Sequence, residues 1–476
     1  MKRYERLTEE ITASIRSGLL QAGDRLPSVR QTSASRGVSP STVFKAYYLL
    51  EARGLIRARD RSGYYVLRAP HAALPEPDGL SSASAGRHPV DVSDNVLQVL
   101  NATLRRDMLP FGSAFPSPSL LPYGRLAKFM AASAQRLDPW SSIDDLSPGD
   151  AALRRAIALR YLADGMSVPV DDIIITNGAL DALNLSLAAV TEPGDAVIVE
   201  SPTFYAALQS LERNHLHAIE VATHPREGID LQALEAAIVQ HHPRACWLMT
   251  TFQNPLGSLM PDEKKEALVA LLTRHGVALI EDDVYGELYF GEQRPRPAKA
   301  YDREGIVMHC SSFSKTLAPG YRVGWVAAGR YTRRIMRNKL TTSLATAAPT
   351  QAAIAAYLEK GGFDRHLRQF RQALAQQQGE LLQAIARYFP KGTRATRPAG
   401  GYFVWVELPA GIDTLKVHRA ALGHGISIAP GPLFSASGAF GNFLRLNAGH
   451  PWNPEMEQGM ATLGKLLASS PSRPNP

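Results

Sequence analysis

Apolar positions along the chain change their period twice. Over the first 68 residues they recur at helical spacing between short polar breaks. LTEEITASIRSGLL suits a first helix, with Thr8 placed to cap it and Glu9 and Glu10 near its positive end. AGDRLPSVRQTSASRGVSPSTVFKAYYLLEARGLI then reads as helix, turn and helix. Pro27 and Ser28 open one helix, Gly37 marks the turn, and Ser39 caps the next with Pro40 at its first position. Val43, Ala46, Tyr47, Leu49 and Leu50 form the inward stripe of that last helix. Ser41, Thr42 and Lys45 make a polar face near its N-terminus. RARDRSGYYV follows as a basic hairpin turning at Gly63.

Periodicity then stops. RAPHAALPEPDGLSSASAGRHP, from Arg68 to Pro89, is rich in Pro, Ala, Ser and Gly and reads as a linker. From about Val92 onward short β-branched runs alternate with helical stretches. Ile173–Thr176, Ala196–Val199, Cys246–Thr250, Val277–Ile280 and Ile306–His309 fit buried strands. Strand and helix in alternation predict right-handed crossovers, a mostly parallel sheet and a three-layer α/β domain. From about 362 a long polar helix and short strands predict a smaller α/β subdomain. The expected division is a small domain over 1–68, a linker over 69–90, a large domain over 91–465 whose smaller part is about 362–465, and a disordered tail over 466–476.

Composition narrows the class. At 476 residues the chain is too long for one ordinary domain, and its 45% apolar and 20% charged residues suit a globular protein. No apolar run reaches the ~18–20 residues that span a bilayer, which argues against a membrane role. The N-terminus is too polar for a signal peptide. Cys246 and Cys310 are too few for a disulfide framework or a metal site, so a reducing cytoplasm is the expected location. The net charge is +8, and residues 1–70 hold 13 Lys or Arg against 6 Asp or Glu. Nearly all the excess therefore lies in the first seventh of the chain, which predicts a polyanionic partner for that part alone.

The chemistry centres on Lys315 in HCSSFSKTLAPGYRVGWV. A Lys among small hydroxyl residues just after a buried strand can form an imine with an aldehyde, once enclosure frees its amine. Pyridoxal phosphate needs such a Lys, an anion at its ring nitrogen, a phosphate cradle and a stacking group. Asp282 in EDDVYGELY follows a strand and can hold the ring nitrogen protonated. Tyr285 and Asn254, the latter in TFQNPLGS, can donate to the phenolate oxygen. Gly178 and Ala179 fall at a helix N-terminus, where free N–H groups favour phosphate. Ser312, Ser314 and Arg322 add hydroxyl and guanidinium donors, and Phe204 in ESPTFY is the stacking candidate, with Tyr205 as its alternative.

Two resemblances order these motifs. GDRLPSVR, GVS, STV, AY, LE, GLI and SGYYV resemble, in sequence, the winged-helix domain of the GntR superfamily over residues 4–67. That resemblance implies double-stranded operator DNA as a partner, with Arg30, Ser39, Ser41, Thr42 and Lys45 as its contacts. NGALDAL, ESPTFY, QNPLG, EDDVYGEL, SFSKTLAPGYRVGW and FLRLNAGH resemble the fold-type I, class I/II aminotransferases over about 110–465. This resemblance implies that Arg445 grips an amino acid's carboxylate and that the chain forms a homodimer. Asp181 departs from the family, whose members often carry a Gln there. Winged helix, linker and aminotransferase-like domain together resemble the MocR-type regulators. They imply a transcriptional regulator that senses an amino acid or amine, or pyridoxal phosphate itself, through aldimine exchange. The alternative is a working aminotransferase with an accessory DNA-binding domain, and partial activity is compatible with both.

Overall fold

A computed structural model describes residues 2 to 469 apart from 18, 22, 53–54, 60–61, 67–73, 78, 82–85, 94–95, 98–104, 137–138, 141–147 and 361. The expected disordered tail lies outside these residues from 470 onward, but its first four residues, 466–469, are corrected to helix: they close the helix Pro454–Ser469, held there by the buried Leu467. Parts of the expected linker also lie outside the described residues.

Three helices and a hairpin form the N-terminal unit: α1 (Arg3–Arg16), α2 (Val29–Arg36), α3 (Pro40–Ala52), β1 (Ile56–Arg59) and β2 (Gly63–Val66). Leu7, Ile11 and Ile15 from α1 close over Val43, Ala46, Tyr47 and Leu50 from α3. That stripe draws the start of α1 back to Arg3, which corrects the expectation for Thr8. Thr8 lies inside the helix, fully buried, and its hydroxyl donates to the Tyr4 carbonyl at 2.8 Å. The other caps form as expected. Ser28 and Gln31 exchange side-chain and backbone bonds at the start of α2, and Gly37 ends it at φ +59. Ser39 Oγ accepts from the Thr42 amide at 3.2 Å.

The described part of the expected linker is laid along the large domain. Pro75 accepts from the Ala395 amide at 3.0 Å, Glu76 pairs with Arg226 at 2.8 Å, and the Ser81 hydroxyl donates to the Ser201 carbonyl. Its last residues, β3 (Arg87–Pro89), join the edge of the main sheet, the place where a strand proline costs no ladder bond.

Among the described residues that sheet has nine strands. Its order is β3, β6 (His217–His224), β5 (Ala196–Ser201), β8 (Ala245–Leu248), β9 (Ala278–Asp282), β10 (Val307–Ser312), β11 (Gly324–Ala327) and β4 (Ile173–Thr176), with β7 (Gly228–Ile229) paired on β6. The run from β6 to β10 is parallel, and β11 lies antiparallel between β10 and β4. Every residue of β4, β5, β8, β9 and β10 is buried, as expected of strands covered on both faces. Helices α4 (Ala151–Ala163), α5 (Ala179–Val190) and α6 (Thr332–Thr342) belong to these layers. The 26-residue α7 (Phe363–Tyr388) leads to a second, antiparallel sheet. Its order is β12 (Arg394–Ala395), β13 (Phe403–Glu407), β15 (Phe443–Asn447) and β14 (Ala429–Pro430). The three-layer, mostly parallel architecture with a smaller α/β part is thus the one the alternating pattern predicted. Among the described residues no helix is long and apolar enough to cross a membrane.

Candidate functional site

Parallel strands end together, and side chains just beyond their C-terminal ends converge. β9 ends on Asp282, and β10 ends three residues before Lys315. Lys315 is partly buried. Its Nζ donates to the Ala114 carbonyl at 2.8 Å and stands 3.8 Å from the centre of the Phe115 ring. Burial lowers its ammonium to about 7, with Arg445 and Arg322 adding to the effect and Asp282 opposing it. Asp282 is buried, and burial raises its carboxyl to about 7, helped by the neighbouring Asp283 charge and opposed by Lys315. Amine and carboxyl therefore change charge in the same pH range.

Arg445 rises from the middle of β15 and is fully buried. It donates to Asn254 Oδ1 at 3.1 Å and to the carbonyls of Gly112 at 2.7 Å and Ser113 at 3.2 Å. Phe403 lies 4.2 Å from its guanidinium carbon, and burial lowers its pKa. Tyr285 is buried edge-on to Tyr402 and Phe403, and burial holds its hydroxyl well above the usual range. Phe204 is partly buried and packs at 4.8 Å from Tyr205, whose own burial is nearly complete. Of the two, Phe204 keeps the more accessible ring.

At the far end of the site Gly178 precedes α5 with φ +94, a conformation that favours glycine. A Cβ there would run into the Arg322 guanidinium, which donates to the Asn177 carbonyl at 3.0 Å. Ser312 Oγ accepts from the Ser314 amide at 3.3 Å, tightening the loop before Lys315. Asp181 accepts from the Asn177 amide at 2.9 Å and from Ser343 at 3.2 Å. Its carboxylate holds the cradle's own backbone, which the departure at this position did not foretell.

Four buried polar atoms without partners face this chemistry: Asp282 Oδ1, Asn254 Nδ2, Ser314 Oγ and Arg445 Nε. A buried group without a partner is costly, and each of these matches one part of the expected ligand pair. An acceptor suits a ring N–H, an amide donor suits a phenolate, a hydroxyl suits a phosphate, and a guanidinium N–H suits a carboxylate. The residues present fit pyridoxal phosphate. Sequence reasoning pointed to a selectivity loop near Phe115 but not to the Gly112–Ala114 carbonyls, which meet both Lys315 and Arg445. Residues this far apart in sequence, with backbone atoms as their chemistry, leave no motif.

In the N-terminal unit Arg30, Ser39, Ser41 and Lys45 are exposed, and Thr42 is half-buried. Ser39, Ser41 and Thr42 share hydroxyl hydrogen bonds of 2.9 Å at the start of α3. Lys45 Nζ lies 5.7 Å from the Tyr4 ring centre, on the side of α1. Arg30 is the second residue of the neighbouring α2. The exposed Phe44 and Tyr48 on α3 were not singled out from sequence, where they read as further apolar positions.

Comparison with known proteins bears on both units. Residues 145–461 match the family described as aminotransferase class I and II, and residues 3–66 match the bacterial regulatory proteins of the gntR family. The uncharacterised HTH-type transcriptional regulator YdcR of Escherichia coli is 48% identical over 98% of this chain and 99% of its own length. A second from that organism, YjiR, is 38% identical over 98% of this chain and 99% of its own length. Among solved structures, LysN of Thermus thermophilus is an alpha-aminoadipate aminotransferase complexed with N-(5'-phosphopyridoxyl)-L-leucine. It is 31% identical with a TM-score of 0.71, covering 78% of this chain and 94% of LysN.

Proposed function

Because this chain belongs to the aminotransferase class I and II family and carries a gntR-family DNA-binding domain, the two-part arrangement of MocR-type regulators, we propose that it is a transcriptional regulator whose DNA binding responds to an amino acid or amine. Its cofactor is pyridoxal phosphate. When bound, that group supplies an aldehyde carbon open to primary amines and a ring that accepts electron density.

The observation that carries the reading is the set of four unpartnered buried atoms spread over four separate segments around Lys315. In this reading Lys315 presents a neutral amine to the cofactor's carbonyl carbon. Asp282 accepts the ring N–H, while Asn254 and Tyr285 hold the phenolic oxygen. Gly178, Ala179, Ser312, Ser314 and Arg322 hold the phosphate, and Phe204 covers one ring face. Arg445 exchanges backbone carbonyls for an effector's carboxylate, which favours an α-amino acid over a simple amine. Arg30, Ser39, Ser41, Thr42 and Lys45 meet DNA, the cations at phosphates or guanine edges and the hydroxyls at the backbone.

A homodimer is part of the proposal. Leu180, Leu340 and Leu344 are each more than two-fifths exposed. They stand on two segments joined by the Ser343–Asp181 and Asn177–Ala345 bonds beside the phosphate cradle. Covering that apolar face with a second copy would shelter the cradle, and two N-terminal units would then read two half-sites. The cytoplasm suits this role and the two free cysteines.

A second reading, a working aminotransferase, is favoured by the same complete side-chain set. Absorbance titration separates the cases. Wild type with pyridoxal phosphate should develop a visible band that Lys315→Ala lacks. One amino acid should shift the band, and Arg445→Ala should not respond. Steady release of a keto acid would favour the enzyme, and the absence of any Lys315-dependent band would overturn both readings.

A further inference from the structure

Asp282 is followed by a second buried carboxylate, and what surrounds that neighbour sets what Asp282 can do. Asp283 Oδ2 takes a bond from Arg294 at 2.8 Å and lies 3.0 Å from His309 Nε2. His309 Nδ1 is 2.7 Å from the Tyr161 hydroxyl, and the Trp325 indole N–H donates to that hydroxyl at 2.9 Å. An indole can only donate, so Tyr161 accepts from Trp325 and its own proton can turn to His309 Nδ1. At the other end a carboxylate can only accept, so His309 donates from Nε2 to Asp283. Arg294 also pairs with Asp164 at 3.0 Å, and its side chain is only 10% exposed.

Two adjacent buried carboxylates cannot both ionise cheaply, because each disfavours the charge of the other. We propose that Arg294 is a positioning residue for the cofactor site: by neutralising Asp283 it reserves the negative charge of Asp282 for the ring nitrogen of pyridoxal phosphate. The inference rests on the site reading above and names a residue that reading does not use. It stands on the geometry of Arg294, Asp283 and His309, and the charge balance agrees with it. Burial pushes the Asp283 carboxyl up, yet Arg294 and His309 more than offset this and hold it below the ordinary range.

Other charges face the pair. Lys265 adds positive charge near Asp283, Lys315 does so near Asp282, and Glu281 and Glu200 add negative charge near Asp282. None of the other cations bonds Asp283 directly as Arg294 does. Without Arg294 the charge of Asp283 would stand unneutralised and push the Asp282 carboxyl further up. Asp282 would then keep its proton near neutrality and lose the acceptor the ring needs.

The test uses the full chain, with pyridoxal phosphate affinity followed by absorbance as a function of pH. Arg294→Gln should weaken binding about tenfold near neutrality and move the acid limb of the profile up by about one pH unit. Arg294→Lys, which keeps the charge, should restore most of the loss. The decisive variant is Arg294→Gln with Asp283→Asn. With both charges gone, Asp282 has no rival for its proton, so affinity and profile should return close to wild type. A merely structural Arg294 predicts the opposite, since the second substitution would add to the damage. Wild-type affinity and profile in Arg294→Gln would overturn the proposal, and so would a double variant as weak as the single one. Asp282→Asn is the control: wild-type binding there would show that the site reading itself has failed, and the proposal with it.

Discussion

Lys315 and Asp282 both titrate near neutrality, and the consequence is a direction as well as a range. Burial lowers the Lys315 ammonium to about 7, so its amine becomes neutral as pH rises through that value. Burial raises the Asp282 carboxyl to about 7, so its negative charge develops over the same interval. Cofactor capture needs the neutral amine and the carboxylate. Its rate should therefore climb steeply between about pH 6 and 8 and level off above, which stopped-flow absorbance on cofactor-free protein would follow. A profile that falls across this range would contradict the charge assignment. Both residues were legible in sequence, because a Lys in a hydroxyl-rich loop and an Asp ending a strand carry local patterns. Arg294 was not, since it bonds Asp283 from a segment with no motif of its own. Thr8 was misread for another reason: a hydroxyl residue ahead of an apolar stripe resembles a cap, and only the packing of Leu7 against α3 reveals a buried position inside the helix.

Among the elements, α7 has contacts along its length that bear on the proposed regulation. Near its start His366 Nε2 donates to the Thr316 carbonyl at 2.7 Å, one residue from Lys315, and Arg371 donates to the Glu287 carbonyl at 2.7 Å. Further along, Glu380 faces the positive charge of Arg57 in β1, and Gln376 accepts from Arg57 at 2.7 Å. One rigid helix thus touches the lysine loop and the DNA-binding unit. Glu380→Gln combined with Gln376→Ala should leave the cofactor spectrum and basal DNA affinity unchanged. It should also reduce the change in DNA affinity that an amino acid produces, measured by anisotropy alongside absorbance. An undiminished response would exclude this path. Here the sequence told less. The periodicity of a long polar helix was visible, but its two neighbours were not, since contacts between elements leave no period in either one. β3 is a similar case, because composition marked Arg87–Pro89 as linker and edge pairing made it a strand.

For the whole molecule, the account requires two chains. Leu180, Leu340 and Leu344 present an apolar face beside the phosphate cradle, and a second copy covers it in the proposed dimer. Leu340→Asp with Leu344→Asp should shift the protein from dimer to monomer in sedimentation velocity and weaken both cofactor and DNA binding. A variant that stays dimeric would place the interface elsewhere. Charge and periodicity suggested two unlike parts, basic helical residues at the start and alternating strands and helices after, but the role of each came from its motifs. The proposed signal between the halves leaves no trace in sequence, because it would depend on how an occupied site changes packed neighbours.

All of these expectations rest on one relation, that occupancy of the Lys315 and Arg445 site changes affinity for DNA. It is tested most directly by DNA-binding isotherms on a duplex that the protein itself selects from a random pool. Pyridoxal phosphate is present throughout, and a panel of amino acids and amines is added one at a time. At least one of them should change the dissociation constant by about fivefold or more, and Lys315→Ala and Arg445→Ala should abolish the change while still binding DNA. An affinity that no compound alters, or a shift that persists in Lys315→Ala, would contradict it.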